Sequence, residues 1–256
     1  MILLIDVGNS RFKWCGLRDG ELDQVCAREY SSQDRAQAVL TALEAVSAPR
    51  RIVIASVLGD AFRQEFTRLA AARHGDEPEF VISPRSGHGI ELAYDAPESF
   101  GADRFCALVA AHRRFHEPCI VVDCGTAVTI DALSADGQHL GGLIVPGLEL
   151  MRRSLIEHTA RISLSSHGDN NALFGRSTEQ GVKVGTLRAL AAGIDRIVAD
   201  MTAHIIRLRG VASTCNVITG GAAAYLLPCL ATEYELAPEL VLQGLAIIAE
   251  PQFARL

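Results

Sequence analysis

The chain has 256 residues, a formal net charge of −6, a hydrophobic content of 49% and a mean hydropathy of +0.20, which exclude an intrinsically disordered chain. The acidic balance argues against broad nucleic-acid binding, because that activity needs a concentrated basic face. No apolar run reaches the ~18 residues of a membrane span, and seven scattered cysteines without a CxxC pair predict reduced thiols in a cytoplasmic protein.

The first predicted element is a pair of strands joined by a turn. Residues 2–6 and 12–17 have the apolar pattern of strands, and the turn residues Gly8-Asn9-Ser10 lie between them. The spacing of apolar and turn residues then predicts a helix over residues 35–46, a short buried strand at 52–55, and a helix that begins at residue 60 and is capped by Asp60. A mostly irregular segment follows at 74–100, with a strand near 80–82. A third helix is predicted over about 104–115.

The second half of the chain opens on a related figure. An apolar run again ends in an aspartate followed by a glycine turn, so that Asp123 and Gly125 repeat Asp6 and Gly8 at equal spacing. The two copies predict two related halves, residues 1–117 and 118–256. Strands that alternate with helices indicate an α/β architecture.

The rest of the second half is predicted to begin with two strands, at residues 128–133 and 139–145, followed by a polar loop at 161–177 and a long helix at about 179–208. A strand at 216–219 then leads into a Gly-Gly turn, and a final helix begins after Pro238. The long helix carries a continuous apolar stripe, formed by Val184, Leu187, Ala191, Ile194, Val198, Met201, Ile205 and Leu208. A stripe of that length is most simply core, and a share of it could be a subunit interface.

The first turn has the residue types that bind phosphate. Gly8 permits a tight turn whose amides can bind an anion, and Lys13 supplies a positive charge. Asp6, at the end of its strand, could hold Mg²⁺ directly or through water. A single copy could equally be an ordinary hairpin turn. The second copy, with Asp123 and Thr126, favours a ligand site.

A second candidate site is the segment Gly101-Ala102-Asp103-Arg104. Asp103 precedes an apolar pattern with helical spacing, so its simplest role is a helix N-cap, and Arg104 would then be a solvated charge. The same pair could also act chemically. A fixed carboxylate can accept a proton from an alcohol, and a guanidinium can hold a substrate carboxylate.

We call a strand that ends in an aspartate followed by a glycine turn an acid-tipped turn. The two acid-tipped turns, at Asp6 and Asp123, followed by Thr219-Gly220-Gly221, resemble those of the acetate and sugar kinase/Hsc70/actin superfamily. This resemblance implies an α/β fold of two duplicated ribonuclease H-like domains, with mixed sheets and a nucleotide cleft between them. The superfamily hosts many functions, so the fold alone does not identify the reaction.

An ordered set of further motifs is similar to those of type III pantothenate kinases. The set spans residues 6–221 and comprises Asp6 to Ser10 with Lys13, Tyr94 before Gly101 to Arg104, Asp123 to Ala127 with Thr129 and Asp131, Gly141 to Gly147, Ser177-Thr178, and Thr219 to Gly221. The resemblance implies ATP-dependent phosphorylation of pantothenate to 4′-phosphopantothenate, the first step of coenzyme A biosynthesis.

The same resemblance assigns roles in binding ATP and ions. The ATP phosphates would contact Asp6, Val7, Gly8, Asn9, Ser10, Arg11, Phe12 and Lys13. Thr126 would also contact ATP, and Asp6 would lie near the divalent cation, Mg²⁺ or another. Asp123 would bind the monovalent cation, K⁺ or NH₄⁺.

The resemblance also assigns the pantothenate site. Asp103 would be the general base, and pantothenate would be positioned by Tyr94, Gly101, Ala102, Asp103, Arg104 and Thr178. The family further implies a homodimer, with no nucleic-acid or membrane partner.

Two alternatives stay open. The chain could be another small-molecule kinase of the superfamily that acts on a sugar or an acetate-like acid, although Tyr94 and the segment 101–104 argue against this. It could also be a non-catalytic transcriptional accessory factor. Against that alternative stands the full set of residues that a catalyst needs, namely Asp6, Lys13, Asp103 and Asp123.

Overall fold

The computed structural model describes residues 1–159 and 173–250. The predicted polar loop at 161–177 therefore lies largely outside the described residues. Within them, no helix combines the length and the apolar character needed to cross a bilayer.

The strands largely follow the apolar runs in the sequence. They are β1 (Ile2–Val7), β2 (Arg11–Arg18), β3 (Glu21–Leu22), β4 (Cys26–Glu29), β5 (Arg51–Ser56), β6 (Glu79–Phe80), β7 (Ser86–Gly87), β8 (Ile90–Glu91), β9 (Cys119–Cys124), β10 (Ala127–Leu133), β11 (His139–Pro146), β12 (Cys215–Thr219) and β13 (Glu235–Leu236). The longer strands agree with the predicted ones to within one or two residues.

The helices fill the segments between strands. They are α1 (Arg35–Glu44), α2 (Asp60–His74), α3 (Ala102–Phe115), α4 (Leu148–His158), α5 (Thr178–Arg209), α6 (Ala223–Leu226) and α7 (Leu240–Ala249), with 3₁₀ turns at Pro97–Ser99 and Leu227–Cys229. Helix α4 and the small hairpin β7–β8 were not among the predicted elements.

Two sheets share one strand order. The first runs β3-β2-β1-β5-β6, with β4 also paired to β2, and the second runs β11-β10-β9-β12-β13. In the first sheet β1 is antiparallel to β2 and parallel to β5, so the sheet is mixed. The matching orders confirm the predicted α/β fold with duplicated mixed sheets.

The chain divides into two compact units that interleave in sequence. The first unit contains Met1–Cys119, Leu133–Gly141 and the segment from Glu239 onward, and the second contains Ile120–Ala132 and Gly142–Pro238. The predicted division into domains 1–117 and 118–256 rests on the sequence repeat and stays a prediction.

Helix α7 belongs to the first unit because of its packing. Its sequence is almost wholly apolar, and it packs against α3 and β1. A Cβ atom at Gly244 would overlap the carbonyl group of Cys106, so only glycine allows α7 to lie this close to α3. The close approach leaves most of α3 buried.

Two predicted helix caps are wrong by one or two residues. Gly59 is the N-cap of α2 and Gly101 that of α3, while Asp60 and Asp103 lie within the first helical turn. Both aspartates still place a negative charge near the positive end of a helix dipole, which is favourable at either position.

The stripe on α5 is mainly core. Most of its members are buried, namely Val184, Leu187, Ala191, Ile194, Val198 and Ile205. Met201 is half-buried and Leu208, near the C-terminal end, is 58% exposed. Burial within the chain therefore accounts for the stripe except at that end.

Candidate functional site

The turn after β1 is closed by backbone hydrogen bonds and by a tyrosine. The Gly8 N–H donates to the Arg11 carbonyl at 3.0 Å, and the Tyr30 N–H donates to the Ser10 carbonyl at 3.1 Å. The Tyr30 hydroxyl donates to the Gly8 carbonyl at 2.6 Å. These contacts fix the turn. The Gly8 amide, which the sequence offered as an anion donor, closes the hairpin instead.

The side chains of this segment divide between core and surface. Val7 and Phe12 are fully buried, so only their backbone can face a ligand. The residues at the turn itself are exposed, namely Asn9, Ser10 and Arg11. Asp6 and Lys13 lie opposite each other in the β1–β2 register, and residues opposite in an antiparallel pair point to the same face. A carboxylate and an ammonium group therefore share one face beside the turn.

The first turn of α3 holds the Asp103 carboxylate in place. Oδ1 of Asp103 accepts the Arg104 N–H at 2.8 Å, which is one of the amides that a helix start leaves without a helical partner. A Cβ atom on Gly101 would lie 2.5 Å from the same Oδ1. The carboxylate thus occupies space that only glycine at position 101 leaves open.

A buried serine supports the chain just before α3. The Ser83 hydroxyl donates to the Phe100 carbonyl at 2.9 Å, and Ser83 lies in the buried part of the first unit. Ser83 follows β6 closely in the chain. The hydrogen bond therefore ties the residue before Gly101 to the end of the first sheet.

Arg104 is enclosed by aromatic rings. Its side chain is only 6% exposed, so the expectation of a solvated charge is wrong. The guanidinium carbon lies 4.2 Å from the Phe100 ring centroid and 5.6 Å from that of Tyr94, and Nη1 donates to the Tyr94 hydroxyl at 3.1 Å. A desolvated guanidinium over aromatic faces interacts more strongly with an anion than one in water.

Asp6 and Asp103 come close to the same buried group. The Cys106 thiol is fully buried, and burial is the main reason why its pKa is raised well above the usual value. The negative charges of Asp6 and then Asp103 raise the pKa of this thiol further. The two carboxylates, far apart in sequence, therefore both lie within electrostatic reach of one thiol in the first unit.

The repeated turn lies in the second unit. The Gly125 N–H donates to the Ala127 carbonyl at 3.1 Å, and the Gly147 N–H donates to the Thr126 carbonyl at 3.0 Å. Gly220 has φ of +93°, and a Cβ atom there would overlap the Asp123 carboxylate. The Gly-Gly turn after β12 thus packs directly against Asp123, which brings together two motifs that the sequence placed far apart.

Thr178 lies at the start of the long helix α5. Ser177 is the N-cap, and its hydroxyl accepts the Gln180 N–H at 3.1 Å. Thr178 is exposed on the first helical turn. Its side chain is therefore open to solvent. Thr178 belongs to the second unit, whereas Tyr94 and Arg104 belong to the first.

The carboxylates of Asp6 and Asp123 offer oxygen atoms, which are the ligands that Mg²⁺ and K⁺ prefer. Among residues 1–159 and 173–250 no group of three His, Cys, Asp or Glu side chains could hold a metal ion. Mg²⁺ in kinases is commonly held by one or two carboxylates together with substrate phosphates, and Asp6 fits that pattern. Asp123 with the carbonyl oxygens of its turn offers the oxygen ligands that potassium prefers.

Sequence reasoning missed three supporting residues. Tyr30, Ser83 and Phe100 hold the Gly8 turn and the start of α3, and none belongs to a motif. Their roles depend on contacts between segments that are distant in sequence. No local pattern could have identified them.

Comparisons with known proteins agree with these motifs. The family model for type III pantothenate kinases matches residues 2–200. The type III pantothenate kinase of Nitrosococcus oceani is 36% identical, over 98% of this chain and 94% of that one. That of Azoarcus sp. is 35% identical, over 97% of this chain and 90% of that one.

Solved structures share the fold. A protein described as a Baf family transcriptional activator from Campylobacter jejuni has a TM-score of 0.60 at 21% identity, covering 97% of this chain and 98% of that one. A protein described as a 2-dehydro-3-deoxygalactonokinase from Sinorhizobium meliloti has a TM-score of 0.56 at 16% identity, covering 97% and 99%. At these identities the likeness shows the fold alone.

Proposed function

The chain belongs to the type III pantothenate kinase family and phosphorylates pantothenate with ATP in coenzyme A biosynthesis, and we propose that Asp103 is its general base. The observation that supports this role most strongly is the fixed carboxylate of Asp103, held by the Arg104 N–H in the space left by Gly101. A helix N-terminus favours the ionised form of such a group. Asp103 would orient the pantothenate hydroxyl and accept its proton late in the reaction.

Arg104 and Tyr94 would bind the pantothenate carboxylate. The guanidinium is desolvated, and the Tyr94 hydroxyl already accepts one of its N–H groups, which limits the orientations of the fork. Planar guanidinium groups bind carboxylates through two parallel hydrogen bonds. The backbone of Gly101 and Ala102 would line the same site.

The turn after β1 would bind the ATP phosphates. Phosphoryl transfer passes through a loose, charge-rich transition state, so positioning and positive charge matter more than a strong nucleophile. Lys13 would supply charge on the face that it shares with Asp6. The exposed Asn9 and Ser10 would supply short donors, and Arg11 would add a second positive charge. Backbone groups of Val7 and Phe12 would line the same segment, whereas Gly8, whose N–H and carbonyl are both hydrogen-bonded within the hairpin, would shape the turn. A divalent cation held by Asp6 would neutralise phosphate charge.

Two residues of the second unit would bind a monovalent cation and ATP. Asp123 would hold K⁺ or NH₄⁺ with oxygen ligands from its turn, and Thr126 would contact ATP. The packing of Gly220 against the Asp123 carboxylate supports this role, because it restricts where the carboxylate can point.

Two wider properties complete the proposal. The chain would form a homodimer, which is supported by exposed apolar side chains of β11 and α4, namely Leu143, Ile144, Leu155 and Ile156. It would reside in the cytoplasm, which is supported by seven cysteines that are all free thiols. Nucleic acid and membrane are not among the proposed partners.

A phosphorylation assay tests the proposal. The purified chain is supplied with ATP, Mg²⁺ and pantothenate, with and without K⁺, and 4′-phosphopantothenate is measured beside a panel of sugar and carboxylic acid acceptors. We expect phosphopantothenate as the main product and a higher rate with K⁺. Preferred turnover of another acceptor would favour a different kinase of the superfamily. No turnover with any acceptor would favour a non-catalytic accessory factor.

A further inference from the structure

Three aromatic rings from separate parts of the first unit pack against one another, and two of them, Tyr94 and Phe100, contact the Arg104 guanidinium. The centroids of Tyr94 and Phe100 are 4.9 Å apart with nearly perpendicular planes. The His139 ring lies 5.0 Å from Phe100, edge to face, and 5.9 Å from Tyr94. These spacings are those of favourable aromatic pairs. Each ring therefore limits the rotation of the other two.

His139 comes from a different region of the chain from its neighbours. Tyr94 and Phe100 lie in the segment before α3, whereas His139 is the first residue of β11 and is only 3% exposed. Its ring is packed against the two aromatic side chains that contact the guanidinium. The local sequence around Arg104 thus cannot complete this arrangement without His139.

Arg104 takes its orientation from two of the three rings. Phe100 lies under the guanidinium, and the Tyr94 hydroxyl accepts one of its N–H groups. A Tyr94 ring that is free to rotate would carry its hydroxyl away from that position. Because the His139 ring packs against both Tyr94 and Phe100, it can determine the orientation of the Arg104 guanidinium group.

We propose that His139 is a positioning residue for the substrate carboxylate, because its ring fixes Tyr94 and Phe100 and these in turn fix the Arg104 guanidinium. The inference rests on the proposed role of Arg104. A bidentate contact needs a fork held in one orientation, so its loss weakens recognition of the carboxylate while leaving the phosphate groups of ATP untouched. His139 thereby determines selectivity for a carboxylate-bearing substrate.

The test compares pantothenate with an analogue in which a hydroxymethyl group replaces the carboxylate. The ratio of kcat/KM values for the two substrates measures how strongly the enzyme selects the carboxylate. For His139→Ala we expect this ratio to fall by about tenfold, through KM for pantothenate, with KM for ATP unchanged. His139→Phe keeps a ring in place and should restore most of the ratio.

A second histidine provides the matched control. His74 is also partly buried in the first unit, where its ring contacts the Leu43 carbonyl at 2.9 Å, and it has no part in the proposed site. His74→Ala should leave the ratio at the wild-type value. An equal fall in His74→Ala would mean that general loosening of the unit is responsible, and would overturn the proposal.

The outcomes separate this inference from the proposed function. If Arg104→Ala keeps the wild-type ratio, the role of Arg104 itself is wrong. If Arg104→Ala lowers the ratio but His139→Ala does not, only the role of His139 is wrong. Should His139→Ala fail to fold, His139→Leu keeps most of the volume without a ring, and a wild-type ratio in that variant overturns the proposal.

Discussion

Asp103 combines a structural role in helix α3 with the catalytic role that we propose for it. Its carboxylate satisfies the Arg104 amide in the first turn of α3, and the same hydrogen bond gives the carboxylate one fixed position. A general base must lie within hydrogen-bond reach of the proton that it accepts. Structural and chemical roles are thus compatible at this residue, and the correction of the N-cap to Gly101 does not alter that.

Asp103→Asn should separate the two roles. The amide oxygen can still accept the Arg104 N–H, but the group can no longer take a proton. We expect kcat to fall by about 10²-fold or more, while ATP binding measured by calorimetry is unchanged. Asp60→Asn makes the same change in the first turn of α2 and should keep normal activity. Near-normal turnover by Asp103→Asn would contradict the base assignment.

Gly101 offers a second test at the scale of one residue. A Cβ atom at this position would lie 2.5 Å from Oδ1 of Asp103, so Gly101→Ala must displace the carboxylate. Because the proposed base would lose its position, we expect kcat to fall by about tenfold or more.

Gly59→Ala is the matched control for Gly101→Ala. Gly59 is also a helix N-cap, and a Cβ atom there would have no neighbour within 4 Å. Equal activity of the two variants, measured in the same pantothenate kinase assay, would show that the crowding at Gly101 has no catalytic consequence.

At the scale of elements, helix α3 is anchored at both ends. Its first turn carries Asp103 and Arg104. Near its C-terminal end the His112 ring lies against both Gly89 and Gly137, where Cβ atoms would be 2.9 and 3.3 Å from the ring. Both glycines have positive φ, at +82° and +83°. The hairpin β7–β8 and the turn before β11 therefore hold the end of α3 through one histidine ring.

The His112 anchor makes stability depend on pH. Burial is the main cause that lowers the pKa of His112 below its ordinary value of 6.5; His116 lowers it further, and Asp136 opposes the shift. The folded protein therefore binds this proton more weakly than the unfolded chain. The stabilisation is fully present above about pH 6.5 and is lost as pH falls through the lower pKa of the folded state.

We expect His112→Gln to have a flatter dependence of the unfolding free energy on pH below 6.5 than the wild type. Urea unfolding at several pH values gives this slope. Burial also lowers the pKa of His88, and its contribution to the pH dependence of stability has the same sign in the wild type and in His112→Gln. His204→Gln, on the exposed face of α5, should keep the wild-type slope. Equal slopes in wild type and His112→Gln would rule out the His112 contribution.

At the scale of the whole molecule, duplication gives each unit one acid-tipped turn. Asp6 and Asp123 end the corresponding strands β1 and β9 of two sheets with the same strand order. The surroundings of the two turns differ. Asp6 faces Lys13 across its hairpin, whereas the Gly-Gly turn after β12 packs against Asp123. This difference is consistent with a phosphate role for one copy and a cation role for the other.

Asp123→Ala tests the proposed division of roles. The change removes the whole carboxylate, so we expect activation of the kinase by potassium to be lost, with activity close to the level measured without potassium. The rate is followed against potassium concentration at saturating ATP and pantothenate. Asp200→Ala, an exposed aspartate paired with Arg196 on α5, should keep the activation. An Asp123→Ala enzyme with unchanged potassium affinity would refute the cation role.

Local patterns predicted much of the fold. The apolar runs that end at Asp6 and Asp123 correspond to β1 and β9, and the stripe on α5 corresponds to a largely buried helix face. These elements are predictable because burial periodicity and turn residues act over a few neighbouring positions. Helix α4 escaped prediction: only Leu148 of its residues is buried, so no wide apolar stripe marks it.

The sequence by itself determined the α/β class, the repeated acid-tipped turn and the motif order that leads to the pantothenate kinase family. Only the tertiary structure decided that Asp6 and Asp103 both act electrostatically on the Cys106 thiol, and that the Arg104 guanidinium lies against the rings of Tyr94 and Phe100, on which His139 from a distant segment packs. The physical reason is that backbone conformation follows from neighbouring residues. Burial, close approach and electrostatic contact depend on which distant segments pack together.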